Sequence, residues 1–255
     1  MCNKETFLGE VAKQLPVKEI YNDVAHPALS TVGITLQGAT KVALAPISAM
    51  VWGYDKIAGY LEVAIPEYFE KRRIEKEKIV SPDPAIAVPA IEAMRYTSHK
   101  EELREMFVNL LGASMNSNEI DEHPAFVELI KQLSSDECRI LKHIQGHGKM
   151  PMLKERLKLP QGGEVDVFPY FSDIGYITGC TFPQKFPEYL NNLQRLGLID
   201  VFYDRHLVDN KFYDDLKKHF AYPKVNVAEG QELIEKKSLY VISEFGKKFC
   251  KICIG

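Results

Sequence analysis

The residues best suited to chemistry in this sequence are its sulfur and imidazole groups. Cys250 and Cys253 form a CxxC pair near the C-terminal end, and Cys138, His143 and His147 lie about a hundred residues upstream. Two such pairs brought together would make a tetrahedral zinc site, because Zn²⁺ takes four N or S ligands. His143 and His147 have the i, i+4 spacing that puts both imidazoles on one helix face, although Gly146 and Gly148 mark a helix end there. Only one CxxC is present, so packing in the core competes with metal binding for these thiols. Other chemistries leave no trace. The sequence has no serine elbow, no cysteine-nucleophile signature, and neither of the glycine-rich patterns that cradle phosphates. Asp121-Glu122 and Asp214-Asp215 are adjacent acidic pairs in polar stretches and read as solvated surface. No catalytic residue, metal site or cofactor is implied, and the chain is not expected to be an enzyme.

A second kind of chemistry is recognition. Residues 183–196 have Phe186, Tyr189, Leu190, Leu193 and Leu196 on one helical face. The opposite face offers Lys185, Glu188, Asn192 and Arg195. Near the C-terminal end Lys236, Lys237, Lys247, Lys248 and Lys251 cluster against Glu244. Lys185, Asn192, Arg195, Lys247 and Lys248 are therefore the candidate contacts to a partner or to nucleic acid. Charge argues against nucleic acid as the partner. Residues 183–220 hold six basic and six acidic side chains, and the whole chain carries −3 from 32 Lys+Arg and 35 Asp+Glu. No strong field attracts a phosphate backbone.

The elements that would hold these groups are mainly helical. The chain has 255 residues with 45% hydrophobic and 26% charged, ordinary values for a globular protein long enough to bury a core without staples. Five cysteines, an odd number at low density, fit a reducing cytosol better than a disulfide framework. Lys4, Glu5 and Glu10 interrupt the start before a signal peptide could form. Phe7, Leu8, Val11 and Leu15 share a helical face, and a short helix through Ile20 and Val24 follows.

Residues 27–54 carry one charge, Lys41. The length would suit a membrane span of about 20 residues, but six Ser, Thr and Gln side chains and Pro27 and Pro46 favour a buried helical hairpin. Its second helix would start at Pro46 and present Ile47, Met50, Val51, Tyr54, Ile57 and Leu61, with Trp52 among them. A break is expected at Pro66, followed by a charged, solvated helix over residues 67–79. Residues 81–89, with three prolines, read as an extended connector. Helix resumes at Pro89 or Ala90, pauses near Thr97-Ser98, and continues over residues 101–111.

Ser134-Ser135-Asp136-Glu137 is a capping sequence, so a helix of about ten residues follows it. The reading continues with a short helix over 152–159, loop and candidate strand (Val165, Val167, Phe168) over 160–182, and the helix that Gly197 stops. Strands over 198–203 and 239–242 and a terminal helix over 243–253 complete the chain. Helix, helix, helix, strand, strand, helix is the order of a winged helix, decorated by insertions at 160–182 and 204–238. The fold class is thus mainly α, with an N-terminal helical domain followed by a decorated winged-helix-like α+β domain. The divisions are 1–80, 81–133 and 134–255.

The segments LPVKEIYNDVAHPAL, VALAPISAMVWGYDKI, PDPAIAVPAIEAMRYT, ELREMFVNLLGASMN, HPAFVELIKQLSSDECRILKHI and LYVISEFGKKFCKIC resemble successive blocks of the abortive infection alpha family of bacterial proteins. The resemblance covers residues 12–255. It implies a role in bacterial defence against phage, by growth arrest or death of the infected cell. It brings no agreed catalytic residues with it. Two readings remain. One is a cytosolic, non-enzymatic defence protein that binds a protein partner or phage component, with membrane contact through 27–54 as a variant. The other is a winged-helix DNA-binding regulator.

Overall fold

The computed structural model describes residues 35–48, 55–97, 100–118 and 122–255. The helices expected before residue 35 lie outside the described residues, as do Met50, Val51, Trp52 and Tyr54. The chain divides into two compact units, Met1–Ser98 with Phe107–Val127, and His99–Met106 with Glu128–Gly255.

The first unit is helical. Helix α1 (Leu36–Ser48) buries Ala39, Ala43, Leu44 and Ile47, a stripe at spacings of four, one and three that packs on α2 (Asp55–Arg72). Lys41, the single charge of the apolar run, faces solvent and pairs with Glu62 at 3.4 Å. This part of the run is thus one face of a packed helix pair. Among the described residues no helix is long and apolar enough to cross a membrane. Pro46 lies within α1 rather than opening the next helix. Pro66 does not break α2, which buries Ile57, Leu61, Ile65 and Phe69 along its length. The missing amide at Pro66 leaves the Glu62 carbonyl without its usual helical donor, a local loss that burial on the same helix outweighs.

Helix α2 stops at Arg72, well short of residue 79. Arg73 takes a left-handed φ of 53°, its amide donating to Glu70 O and that of Ile74 to Phe69 O. This is the Schellman end, with arginine where glycine is usual. Replacing Arg73 with glycine removes the Cβ penalty of that conformation, so R73G is expected to stabilise the first unit by about 0.5–1 kcal/mol. A rise in its urea midpoint checks this, and an unchanged or lower midpoint refutes it.

The proline-rich stretch is mostly helix. Helix α3 (Pro84–Thr97) starts at Pro84, where a missing amide costs nothing, with Asp83 Oδ1 accepting from Ala85 N at 2.8 Å. Pro89 lies inside it. Ser81 Oγ donates to Ala43 O at 2.8 Å, tying the approach to α3 onto α1. Helix α4 (Glu101–Ser114) follows, belonging to this unit from Phe107 onward, and a bridge between Ile79 and Asn116 closes the unit.

The second unit resumes at Glu128, within α5 (Ala125–Lys131), which leads to α6 (Ser135–His147). The strand β1 (Met150–Lys158) then occupies the stretch expected to be a second helix. After it come β2 (Glu164–Asp166), α7 (Ile174–Ile177), α8 (Phe186–Arg195), β3 (Ile199–Phe202), α9 (Lys211–Lys218), β4 (Glu232–Ile242) and α10 (Glu244–Cys253). The four strands form one antiparallel sheet in the order β2-β1-β4-β3. Strand β2 is shorter than the expected one and excludes Val167 and Phe168. The 204–238 insertion is not a loose wing. It holds α9 and the first half of β4, and α9 lays Tyr213 and Leu216 over Leu153 of β1.

Glu155 of β1 stands directly opposite Glu235 of β4. The repulsion is relieved by neighbours: Tyr222 OH donates to Glu155 at 2.7 Å, and Lys217 and Lys237 approach Glu235 at 2.9 and 3.1 Å.

Candidate functional site

The site is built around the start of α6. Ser134 caps the helix: its hydroxyl accepts from Glu137 N, while the Glu137 carboxylate accepts from Ser134 N at 2.7 Å. Asp136, in the same first turn and buried, faces the other way. Its carboxylate accepts from Thr181 N (2.8 Å), Phe182 N (3.1 Å) and Tyr189 OH (2.7 Å), and Arg139 lies 3.2 Å away. Burial pushes its pKa up, but the Thr181, Tyr189 and Phe182 donors outweigh that and hold it below the usual carboxylate value. Arg139 also reaches Glu102 at 2.6 Å and Gly179 O at 2.9 Å. The 160–182 insertion is thus tied to α6 and α8 by charge-assisted hydrogen bonds.

Helix α8 carries two of the candidate contacts, Asn192 and Arg195, with Lys185 just before its start, and its outward face is partly committed within the chain. Asn192 Nδ2 donates to Glu137 Oε1 (2.7 Å) and to Gln132 O (3.1 Å). Arg195 donates to Gln132 Oε1 at 3.0 Å and to Asn192 Oδ1 at 2.7 Å. Lys185 is exposed, 3.7 Å from Glu188 and above the Phe182 ring. Lys247 is exposed on α10 and paired with Glu244 at 2.6 Å; Lys248 beside it is exposed as well. The structure therefore joins Asn192 and Arg195 in one cluster, and places Lys247 and Lys248 together on a different helix.

The sulfur and imidazole groups do not converge on a metal. Among the described residues no group of three or more His, Cys, Asp or Glu side chains could hold one. Cys250 and Cys253 are core residues of α10. Burial raises the Cys250 thiol to about 12 and pushes Cys253 and Cys138 up as well, so all three remain protonated at neutral pH. Cys138 donates to Met106 Sδ at 3.5 Å. His143 and His147 stack with ring centroids 3.9 Å apart, and His147 Nδ1 lies 2.8 Å from His143 O. Burial and the neighbouring His147 hold His143 below the ordinary imidazole pKa.

The sequence reading missed Asp136 as the centre of this network. It had a partial signal, since Asp136 belongs to the recognised capping sequence, but its partners Thr181, Phe182 and Tyr189 are 45–53 residues away.

The family model for abortive infection alpha matches residues 61–253. The chain belongs to that family. The abortive infection alpha match spans α6, α8 and the whole sheet, and so contains all the residues of the network just described. No curated protein matches the chain. A solved structure, that of an uncharacterised protein from the hydrocarbon-degrading marine bacterium Alcanivorax borkumensis SK2, is similar at 16% identity and a TM-score of 0.32, over 52% of this chain and 96% of that one.

Proposed function

We propose that this member of the abortive infection alpha family defends bacteria against phage from the cytosol, without catalysis, by binding a protein partner through a winged-helix-like second unit. Support for the winged-helix reading comes from the sheet order β1-β4-β3, with α8 leading into β3 and β4 into α10. The observation that carries the choice of a protein over DNA is the commitment of Asn192 and Arg195. In DNA-binding helix-turn-helix folds the corresponding helix presents such side chains to bases and phosphates. Here they are engaged by Gln132 and Glu137, and freeing them would break hydrogen bonds that involve a carboxylate. Near-neutral charge over residues 151–255, with 15 basic and 14 acidic side chains, points the same way.

The test is a phage challenge of cells carrying the gene beside a frameshifted control. Protection at low multiplicity with culture collapse at high multiplicity is expected. Indistinguishable curves across a broad phage panel would remove the defence reading. The choice of partner is checked separately by retention on duplex DNA. Weak retention, unchanged in R195A, is expected. Tight retention that falls steeply with salt and is lost in R195A would move the reading to a DNA-binding regulator.

A further inference from the structure

A cleft of about 460 Å³ opens in the second unit between the end of α6, strands β3 and β4, and the start of α10. That size lies within the range of about 300–1,000 Å³ common for small-molecule sites. Its apolar part is Ile144, Val241 and Ile242; its charged rim is Lys149, Asp200, Glu244 and Lys247. The four charges are not equivalent. Glu244 and Lys247 neutralise each other at 2.6 Å. The Lys149 and Asp200 side chains have no ion-pair or hydrogen-bond partner among the described residues, although both line the same cleft.

A simple anion would gain from Lys149 but meet Asp200; a simple cation would meet the reverse. An uncharged aliphatic molecule would shield both unpaired side chains from water without pairing either. A ligand carrying both charges on an aliphatic body satisfies the whole rim.

We propose that this cleft binds a small zwitterion with an aliphatic body, the chemistry of a free aliphatic amino acid, with its ammonium on Asp200 and its carboxylate on Lys149. This proposal is independent of the defence reading and of the choice between protein and DNA. Its test is calorimetric titration of the full chain with three probes of one shape. L-leucine carries both charges, L-leucinamide only the ammonium, and 4-methylpentanoate only the carboxylate.

Leucine is expected to bind, with each singly charged probe weaker by about tenfold or more, the loss of one charged contact. D200N is expected to weaken leucine about tenfold and to spare 4-methylpentanoate. K149M is expected to weaken leucine and to spare leucinamide. Both positions are exposed, and a thermal melt of each variant establishes that the fold is kept. Absence of leucine binding at about 10 mM, or equal binding of all three probes, overturns the proposal. So does loss of all three together in either variant with an unchanged melt.

Discussion

Replacing Asp136 with alanine is expected to destabilise the second unit by about 3 kcal/mol, the scale of breaking a buried, charged hydrogen-bond network. The carboxylate takes two backbone amides and a tyrosine hydroxyl; alanine leaves both amides without an acceptor inside the protein and Tyr189 OH with only Phe182 O, at 3.2 Å. Arg139 loses one of its two carboxylates but keeps Glu102. Y189F removes a single donor and is expected to cost about 1 kcal/mol.

The pH dependence has a definite sign. Because the folded carboxyl titrates below its unfolded value of about 3.9, its stabilisation is fully present above that value and is lost as pH falls through the lower, folded one. Urea unfolding of wild type and D136A at neutral pH and at progressively lower pH measures this. The gap between them should be widest at neutral pH and close on acidification. A deficit under about 0.5 kcal/mol, the size of an ordinary surface change, or one independent of pH, would show that the network does not hold the insertion.

The second large effect concerns two glycines in helices. Gly246 lies in the first turn of α10, where Ser243 Oγ accepts its amide at 2.8 Å. A Cβ there would fall inside contact distance of the Leu198 carbonyl oxygen and 2.9 Å from Ile242 Cγ2. The obstacle is backbone, which cannot swing aside as a side chain can. Ser243 N also donates to Leu198 O at 3.1 Å, so moving α10 away costs that bond too. G246A is therefore expected to cost about 2–3 kcal/mol, although alanine is the better helix former by about 1 kcal/mol. Gly146 in α6 is the control, because a Cβ there meets nothing within 4 Å. G146A is expected to stabilise by a fraction of that propensity difference. Equal shifts of the two melting midpoints would mean that close approach at Leu198 is not what demands Gly246.

What was legible in the sequence was local. The Ser134–Glu137 cap, the Gly197 stop with its φ of 70°, and the Ser243 start of α10 are each decided within about four residues, and the structure has each in place. Strand β1 was not legible. MPMLKERLK is rich in good helix formers, and its apolar run gives no clear period. What makes it a strand is β4, whose residues pair with it across a separation of up to ninety positions. The prolines misled for a different reason. Residues 81–89 read as a connector with helix resuming at Pro89 or Ala90, yet Pro84 occupies the opening position of α3, and burial of Ile86, Ala87, Ala90, Ile91 and Met94 offsets Pro89 inside it. At the site, Asn192 and Arg195 were correctly placed on the polar face of their helix, but no spacing rule could reveal that Gln132 and Glu137 fold back to meet them.

The position of β4 between β1 and β3 also governs how the second unit comes into being. Every ladder except the short β1–β2 pair needs β4, so the sheet cannot close until residues 232–242 have left the ribosome. Synthesis at about 5–20 residues per second leaves β1 waiting several seconds for its main partner. During that interval Met152 and Leu153, both fully buried in the finished protein, have no central strand to cover them. Long-range closure of this kind folds slowly and exposes apolar strand to neighbours. The nascent chain consequently offers β1 to chaperones and proteases until β4 emerges, and the sheet of the second unit closes only then.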